Sequence, residues 1–269
     1  MAADRNLNGV RGLVVDIDGT LFRGPRLMPG AREFFSFLET RGISYVVATN
    51  NTRSGATYSC RFREAGISLG EEHILTCAGA TADYLGKHHP KGARVYVIGK
   101  EDLREEISAR GFTLLTGMEE PADLVVVGGD FDLTYRKLKE AVLHIQGGAR
   151  LIGTNPDLLI PTEEGLIPEA GTTLAALEAA TGIRPVIIGK PEHILFDLAL
   201  DKMGVTPEEA AMLGDRLETD ILGGRQAGLM TILVETGVDS RRTAAMKGIH
   251  PDLTVKSLRD LIALWEEQK

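Results

Sequence analysis

Four segments of the chain share one pattern, in which an apolar run ends in polar or charged residues. They are "LVVDIDGT" (13–20), "ISYVVATNN" (43–51), "PVIIGKP" (185–191) and "AAMLGDRLETD" (210–220). Such apolar runs predict buried strands of a parallel sheet. In the first copy, Asp16 and Asp18 stand two residues apart where a buried strand surfaces, and Gly19 predicts a sharp exit. Burying a carboxylate costs free energy unless a partner group binds it, so the pattern predicts a functional site at this strand end.

Strand-type and helix-type segments alternate along almost the whole chain, which indicates an α/β protein. A second alternation of this kind begins near residue 93 and lies inside the first. We therefore predict a doubly wound, Rossmann-like parallel-sheet core with a smaller inserted α/β domain. The predicted boundaries are 1–78 for the first part of the core, 79–183 for the insert and 184–269 for the second part of the core.

Composition restricts the partners and the location of the protein. The 269 residues include 38 acidic and 30 basic side chains, a net charge of −8, which is not the basic footprint of a nucleic-acid-binding protein. No apolar run approaches the roughly 18 residues of a membrane span, and the first residues lack the apolar region of a signal peptide. Cys60 and Cys77 fit no metal-binding spacing and favour a reducing compartment. We expect a cytoplasmic protein without nucleic-acid or membrane partners.

In open α/β sheets, ligands bind beyond the carboxyl ends of the strands, so the four polar segments are expected to converge. Convergence would gather Asp16, Asp18, Thr49, Asn50, Lys190, Asp215 and Asp220. Several carboxylates beside one ammonium suit a hard divalent cation, and Mg²⁺ is the best match. The cation, the lysine and the threonine hydroxyl could neutralise a phosphoryl group. One carboxylate could then attack phosphorus while another delivers a proton to the leaving oxygen.

The ordered set "DIDGT", "TNN", "GKP" and "GDRLETD" resembles the four motifs of the haloacid dehalogenase (HAD) superfamily. The insert resembles the class II cap of NagD-like and para-nitrophenylphosphatase-like enzymes. Three further stretches support this likeness: "CAGATADYL", "VVVGGDFDLTYRKL" and "GTNPDLLIPTEEGLIPEAGT". The resemblance spans nearly the whole chain. It departs from the closest relatives at Thr20, where they often carry valine.

The resemblance implies a reaction and a role for each carboxylate. Asp16 would be the nucleophile that forms an aspartyl-phosphate, and Asp18 would protonate the leaving alcohol and then activate water. Mg²⁺ would be held by the Asp16 and Asp215 carboxylates together with the main-chain carbonyl of Asp18. The expected substrate is a small-molecule phosphate ester. Family members often associate through the cap, so a homo-oligomer is compatible with this chain.

The resemblance also implies the residues that bind the phosphoryl group. Thr49 would donate a hydrogen bond to it, with help from the Asn50 backbone. Lys190 would offset negative charge on the nucleophile and on the phosphoryl oxygens. Asp220 would orient water or Lys190, and Gly19 would let the backbone approach the phosphate closely.

Some assignments stay open at this point. Asp220 could instead cap the helix predicted to begin at residue 221. Asn155 and Asp157 form either a plain Asn-Pro-Asp turn or a loop of the cap that helps to choose the substrate. Asn51 and Arg53 follow the second motif and are candidates for contact with the leaving group.

Three other functions compete with a magnesium-dependent phosphomonoesterase. A phosphotransferase or mutase would pass the phosphoryl group to an acceptor other than water, and the sequence leaves this open. A non-catalytic sensor of phosphate ligands would not need both Asp16 and Asp18. A dehalogenase would need neither Asp18 nor Asp215, so these residues argue against it.

Overall fold

The computed structural model describes residues 6–162 and 164–268. Its strands are β1 (Gly12–Asp16), β2 (Phe22–Arg23), β3 (Arg26–Leu27), β4 (Ser44–Thr49), β5 (Ile74–Thr76), β6 (Arg94–Ile98), β7 (Thr113–Leu115), β8 (Leu124–Val127), β9 (Arg150–Gly153), β10 (Leu159–Thr162), β11 (Gly165–Pro168), β12 (Val186–Ile187), β13 (Ala210–Gly214), β14 (Met230–Val234) and β15 (Leu253–Val255). Its α-helices are α1 (Ala31–Arg41), α2 (Gly55–Glu64), α3 (Cys77–His88), α4 (Glu101–Ala109), α5 (Tyr135–Gln146), α6 (Ala170–Thr181), α7 (His193–Met203), α8 (Leu222–Gln226), α9 (Arg241–Lys247) and α10 (Leu258–Glu267).

The chain divides into two compact units. The core unit comprises the described residues of Met1–Thr49, Ala56–Leu75 and Lys190–Lys269, and the cap unit comprises Asn50–Gly55 and Thr76–Gly189. The sequence places the insert at 79–183. The cap unit extends beyond residue 183 because β12 pairs with β9 of the cap sheet.

The core unit is built on a six-stranded sheet in the order β15-β14-β13-β1-β4-β5. All five residues of β1 are buried, as the apolar run predicts, and β1 pairs in parallel with β13 and β4. Helix α1 covers the sheet with Phe34 and Leu38, which stand one turn apart and are both buried. It ends at Gly42, whose φ of 63° is the left-handed conformation that favours glycine at helix ends. Both faces of β1 are therefore buried.

The cap unit has its own sheet of five strands, in the order β12-β9-β8-β6-β7. The pairings of β6, β8, β9 and β12 are parallel, and the intervening helices supply buried side chains such as Leu174 and Ile145. The cap unit also contains a separate antiparallel hairpin formed by β10 and β11. The predicted α/β class, with two parallel-sheet units and one inserted into the other, is confirmed.

Two antiparallel hairpins and one π-helical turn do not follow from the sequence pattern. The hairpin of β2 and β3 comes directly after the "DIDGT" segment, and the π turn Leu217–Ile221 follows β13. Within the described residues, no helix combines the length and the apolar character needed to cross a membrane.

Candidate active site

Three neighbouring strands of the core sheet end at one edge and carry polar side chains there. Parallel pairing of β13, β1 and β4 aligns Leu213 with Val15 and Ala48 with Asp16. The residues at or just beyond these strand ends are Asp215, Asp16 and Thr49. All three are buried, with exposed fractions of 0%, 8% and 4%. The structure therefore brings together three of the residues that the sequence assigned to the site.

Lys190 supplies the positive charge of this site. Its ammonium donates hydrogen bonds to Asp16 Oδ1 at 2.6 Å and to Asp220 Oδ1 at 2.7 Å, and it lies 3.3 Å from the Ala48 carbonyl oxygen. The Lys190 side chain is 2% exposed. A buried charge is tolerated when it is paired and hydrogen-bonded on several sides, as here. The lysine does not follow a core strand as predicted, because the preceding strand β12 belongs to the cap sheet.

Asp220 is fully enclosed and lies in the π turn. One carboxylate oxygen accepts from Lys190, and the other accepts from the Arg216 backbone N–H at 3.0 Å. The residue before α8 is Ile221, and no side chain caps this helix. Of the two readings left open by the sequence, the structure favours contact with Lys190 over a helix cap.

Burial and mutual charge shift the ionisation of this cluster. Burial raises the pKa of Asp16 well above its ordinary value, because the attraction of Lys190 only partly offsets it. Burial alone would lower the pKa of Lys190, but Asp16 and Asp220 outweigh it and raise that pKa. Burial and the nearby Asp220 raise the pKa of Asp215 to about 7. Only one ammonium, that of Lys190, is paired with this group of three carboxylates, so the cluster favours additional positive charge.

One carboxylate oxygen of Asp215 is available to bind a cation. Its Oδ2 accepts from the Val238 backbone N–H at 2.7 Å, whereas its buried Oδ1 has no hydrogen-bond partner among the described residues. Carboxylate oxygens of Asp16, Asp215 and Asp220 lie within 4.8 Å of one another. An unpaired carboxylate oxygen in an oxygen-rich, negatively charged cluster fits a hard divalent cation such as Mg²⁺.

Asp18 differs from the other acids because its side chain is 56% exposed. Its carboxylate lies 3.4 Å from the guanidinium of Arg61. Arg61 also donates to the Gly24 carbonyl at 2.6 Å and stacks on the Phe22 ring. Sequence reasoning missed Arg61, because it is one of two similar arginines at the end of α2 and no local pattern distinguishes it from Arg63.

The predicted residues Asn50, Asn51 and Asn155 lie in the cap unit. Asn155 is 1% exposed; its amide donates to the Asn50 carbonyl at 3.0 Å, and its Oδ1 accepts from the Asp157 N–H. Asp157 in turn accepts from the Asn50 side chain at 3.0 Å. Asn51 accepts from the Arg53 N–H in a local turn. The bond from the Asp157 N–H is that of a plain Asn-Pro-Asp turn, whereas the bond to Asn50 joins this turn to the segment that follows β4. Contact of Asn155 with substrate stays a prediction.

Gly19 fits against the carboxylate of Asp215, and a side chain there should be costly. Its φ is 96°, and a Cβ atom would lie 2.2 Å from Asp215 Oδ2. Gly24 in the same segment also has a positive φ, 55°, but a Cβ there would meet nothing within 4 Å. We expect Gly24→Ala to lower the free energy of unfolding by about 1 kcal/mol through backbone strain alone.

We expect Gly19→Ala to cost at least about 2 kcal/mol more, because overpacking adds to the strain. Urea unfolding of both variants measures the difference. Equal stability of the two alanine variants would show that Asp215 does not constrain Gly19.

Comparison with known proteins agrees with this architecture. The haloacid dehalogenase-like hydrolase family model matches residues 13–113, and the HAD-hydrolase-like model matches residues 187–261. The acid sugar phosphatase of Staphylococcus aureus is 37% identical over 258 residues, which cover 96% of this chain and 98% of that protein.

Two solved structures extend the comparison to the fold. NagD from E. coli K-12 superimposes with a TM-score of 0.84 at 34% identity, covering 93% of this chain and 97% of its own. The glycerol phosphate phosphatase of Mycobacterium tuberculosis, in complex with magnesium, has a TM-score of 0.84 at 34% identity and covers 95% and 77% of the two chains.

These matches define the class of protein. The chain belongs to the haloacid dehalogenase-like hydrolases, and within them to the NagD-like group.

Proposed function

We propose that this protein is a magnesium-dependent phosphatase that hydrolyses small-molecule phosphomonoesters through an aspartyl-phosphate on Asp16. The observation that supports this proposal is the buried cluster of charged residues. In it, Lys190 binds both Asp16 and Asp220, and Asp215 has one carboxylate oxygen without a hydrogen-bond partner among the described residues. The relatives named as acid sugar phosphatase and glycerol phosphate phosphatase support the reaction class.

In the first step, an oxygen of Asp16 forms a bond to phosphorus and the ester P–O bond breaks. Asp18 gives its proton to the leaving alcohol. Lys190 fixes the carboxylate of Asp16 at 2.6 Å and lowers the charge repulsion between this nucleophile and the phosphoryl oxygens. The Thr49 hydroxyl and the Asn50 backbone would bind those oxygens.

In the second step, Asp18 accepts a proton from water, whose oxygen attacks phosphorus. The bond between phosphorus and Asp16 breaks, phosphate leaves and the carboxylate is restored. Asp220 also accepts a hydrogen bond from the Lys190 ammonium, at 2.7 Å, and would hold it in place through both steps.

Mg²⁺ would be held by the carboxylates of Asp16 and Asp215 and by the main-chain carbonyl of Asp18. When bound, it supplies positive charge against the phosphoryl oxygens. Asp220 is the less suitable ligand, because its two oxygens already accept from Lys190 and Arg216.

The names of the relatives, rather than the core chemistry, support a choice of substrate class. We propose a phosphate ester of a sugar or of glycerol, with Asn51 and Asn155 among the residues that contact it. Association of copies through the cap and a cytoplasmic location stay predictions.

The direct test measures phosphate release from a panel of sugar phosphates, glycerol phosphates, nucleoside monophosphates and para-nitrophenyl phosphate, with Mg²⁺ and with EDTA. We expect release from at least one ester that EDTA abolishes and added Mg²⁺ restores, because the buried carboxylates need a cation.

The panel also separates the alternatives. Isomer interconversion without phosphate release would indicate a mutase, and tight ester binding without turnover in Mg²⁺ would indicate a sensor. Undiminished hydrolysis in EDTA would contradict the metal dependence.

A further inference from the structure

A short segment of the core unit, Thr236–Asp239, forms hydrogen bonds to Gly19, in the loop after β1, and to Asp215, just after β13. The Thr236 hydroxyl donates to the Gly19 carbonyl at 2.8 Å, and the Val238 N–H donates to Asp215 Oδ2 at 2.7 Å. The Asp239 N–H donates to the Asp215 carbonyl at 3.0 Å. We call residues 236–239 the bracket. It fixes the backbone and one carboxylate oxygen of Asp215.

The bracket packs closely against the Asp215 carboxylate. A Cβ atom on Gly237 would lie 1.8 Å from Asp215 Oδ2, so only glycine lets the bracket come this close. The carboxylate of Asp215 is therefore held between Gly237 and Gly19. The position of the Asp215 carboxylate therefore depends on the position of the bracket.

The bracket is anchored by the side chain of Asp239, which is buried with an exposed fraction of 3%. Asp239 Oδ2 accepts from the Leu217 N–H at 2.9 Å, at the start of the π turn that carries Asp220. Asp239 Oδ1 accepts from the Lys247 ammonium at 2.9 Å. One carboxylate thus joins the bracket, the π turn and α9.

Hydrogen bonds and the charge of Lys247 offset the burial of the Asp239 carboxylate. Burial opposes ionisation, but the Leu217 N–H and Lys247 outweigh it and lower the pKa of Asp239. Lys247 also pairs with Glu218 of the π turn at 2.6 Å. Because the Glu218 side chain is 54% exposed, this second pair contributes little to the position of the π turn, and the buried pair with Asp239 is the one that matters.

We propose that Asp239 is a positioning residue for the cation site, and that Lys247 holds it in place. This inference rests on the function proposed above, in which Asp215 binds Mg²⁺. Asp239 touches none of the reacting groups. It acts by fixing the bracket and the π turn, so that the unpaired oxygen of Asp215 is already in position and would bind a cation without reorganisation.

The test is Mg²⁺ affinity, measured by titration calorimetry without substrate, together with kcat at saturating Mg²⁺. For Asp239→Ala we expect the Mg²⁺ Kd to rise by about 10- to 100-fold, the range found when partners of metal ligands are removed. We expect kcat at saturating Mg²⁺ to change far less, because the reacting groups are intact. Asp239→Asn keeps the shape and one acceptor, so its Kd should lie between the wild-type and alanine values.

Two further variants complete the design. Lys247→Gln should raise the Kd by a smaller factor than Asp239→Ala, since the Leu217 bond survives. Glu218→Gln is the matched control, because it removes the other partner of Lys247 without touching the bracket, and its Kd should stay within about twofold. If Asp239→Ala does not fold, Asp239→Asn and Lys247→Gln decide the question.

Mg²⁺ affinities within twofold of the wild type for the folded Asp239 and Lys247 variants would overturn the positioning role. The proposed phosphatase would then stand, provided that the wild type shows turnover that EDTA abolishes. A wild type that neither binds Mg²⁺ nor releases phosphate would overturn both.

Discussion

Asp16→Asn is expected to lower kcat by about 10⁴-fold or more on the best substrate, because an amide cannot form the bond to phosphorus. We expect the variant to stay folded, since burial disfavours the ionised form of this carboxylate and raises its pKa. Steady-state phosphate release, with folding checked by circular dichroism, measures the effect.

Asp197→Asn is the matched control for this substitution. Asp197 is an exposed carboxylate on α7 whose partner is His193, and it should keep wild-type kcat. Retention of kcat within about tenfold by Asp16→Asn would exclude Asp16 as the nucleophile.

Lys190→Met is expected to damage both catalysis and stability. Removing the ammonium leaves Asp16 and Asp220 buried without their shared partner, and breaking a buried pair in this way costs about 3–5 kcal/mol. The nucleophile also loses the charge that fixes it, so we expect kcat to fall by about 10³-fold. Urea unfolding and steady-state kinetics measure the two losses.

Two controls accompany Lys190→Met. Lys202→Met removes an exposed ammonium on α7 and should change stability by no more than about 0.5 kcal/mol. Adding Asp220→Asn to Lys190→Met should recover part of the lost stability without restoring kcat, because it removes one unbalanced carboxylate. A stable and active Lys190→Met variant would contradict the role of Lys190.

Much of the fold could be predicted because each core strand is a local pattern. The apolar runs before Asp16, Thr49 and Asp215 end at one edge because parallel strands align their carboxyl ends, which is a general rule of such sheets. The rule does not say to which sheet a short run belongs. The run before Lys190 pairs with the cap sheet, and this depends on tertiary contacts that no local pattern records.

The groups that surround the predicted acids could not be predicted. Arg61 reaches Asp18 from a helix more than forty positions along the chain, and Asp239 reaches the π turn from the loop after β14. Both are ordinary charged residues in sequence. Their partners are fixed by the packing of whole elements, and periodicity reports only which face of an element is buried.

Trapping the phosphoryl group on the protein tests whether Asp16 is the nucleophile. The enzyme is quenched with acid during turnover of its best substrate, and peptides containing Asp16 are examined by mass spectrometry. We predict a peptide that is heavier by one HPO₃ group at Asp16, and we predict that this peptide is absent from the Asp16→Asn variant. A phosphorylated residue elsewhere, or rapid turnover with Asp16 never modified, would contradict it.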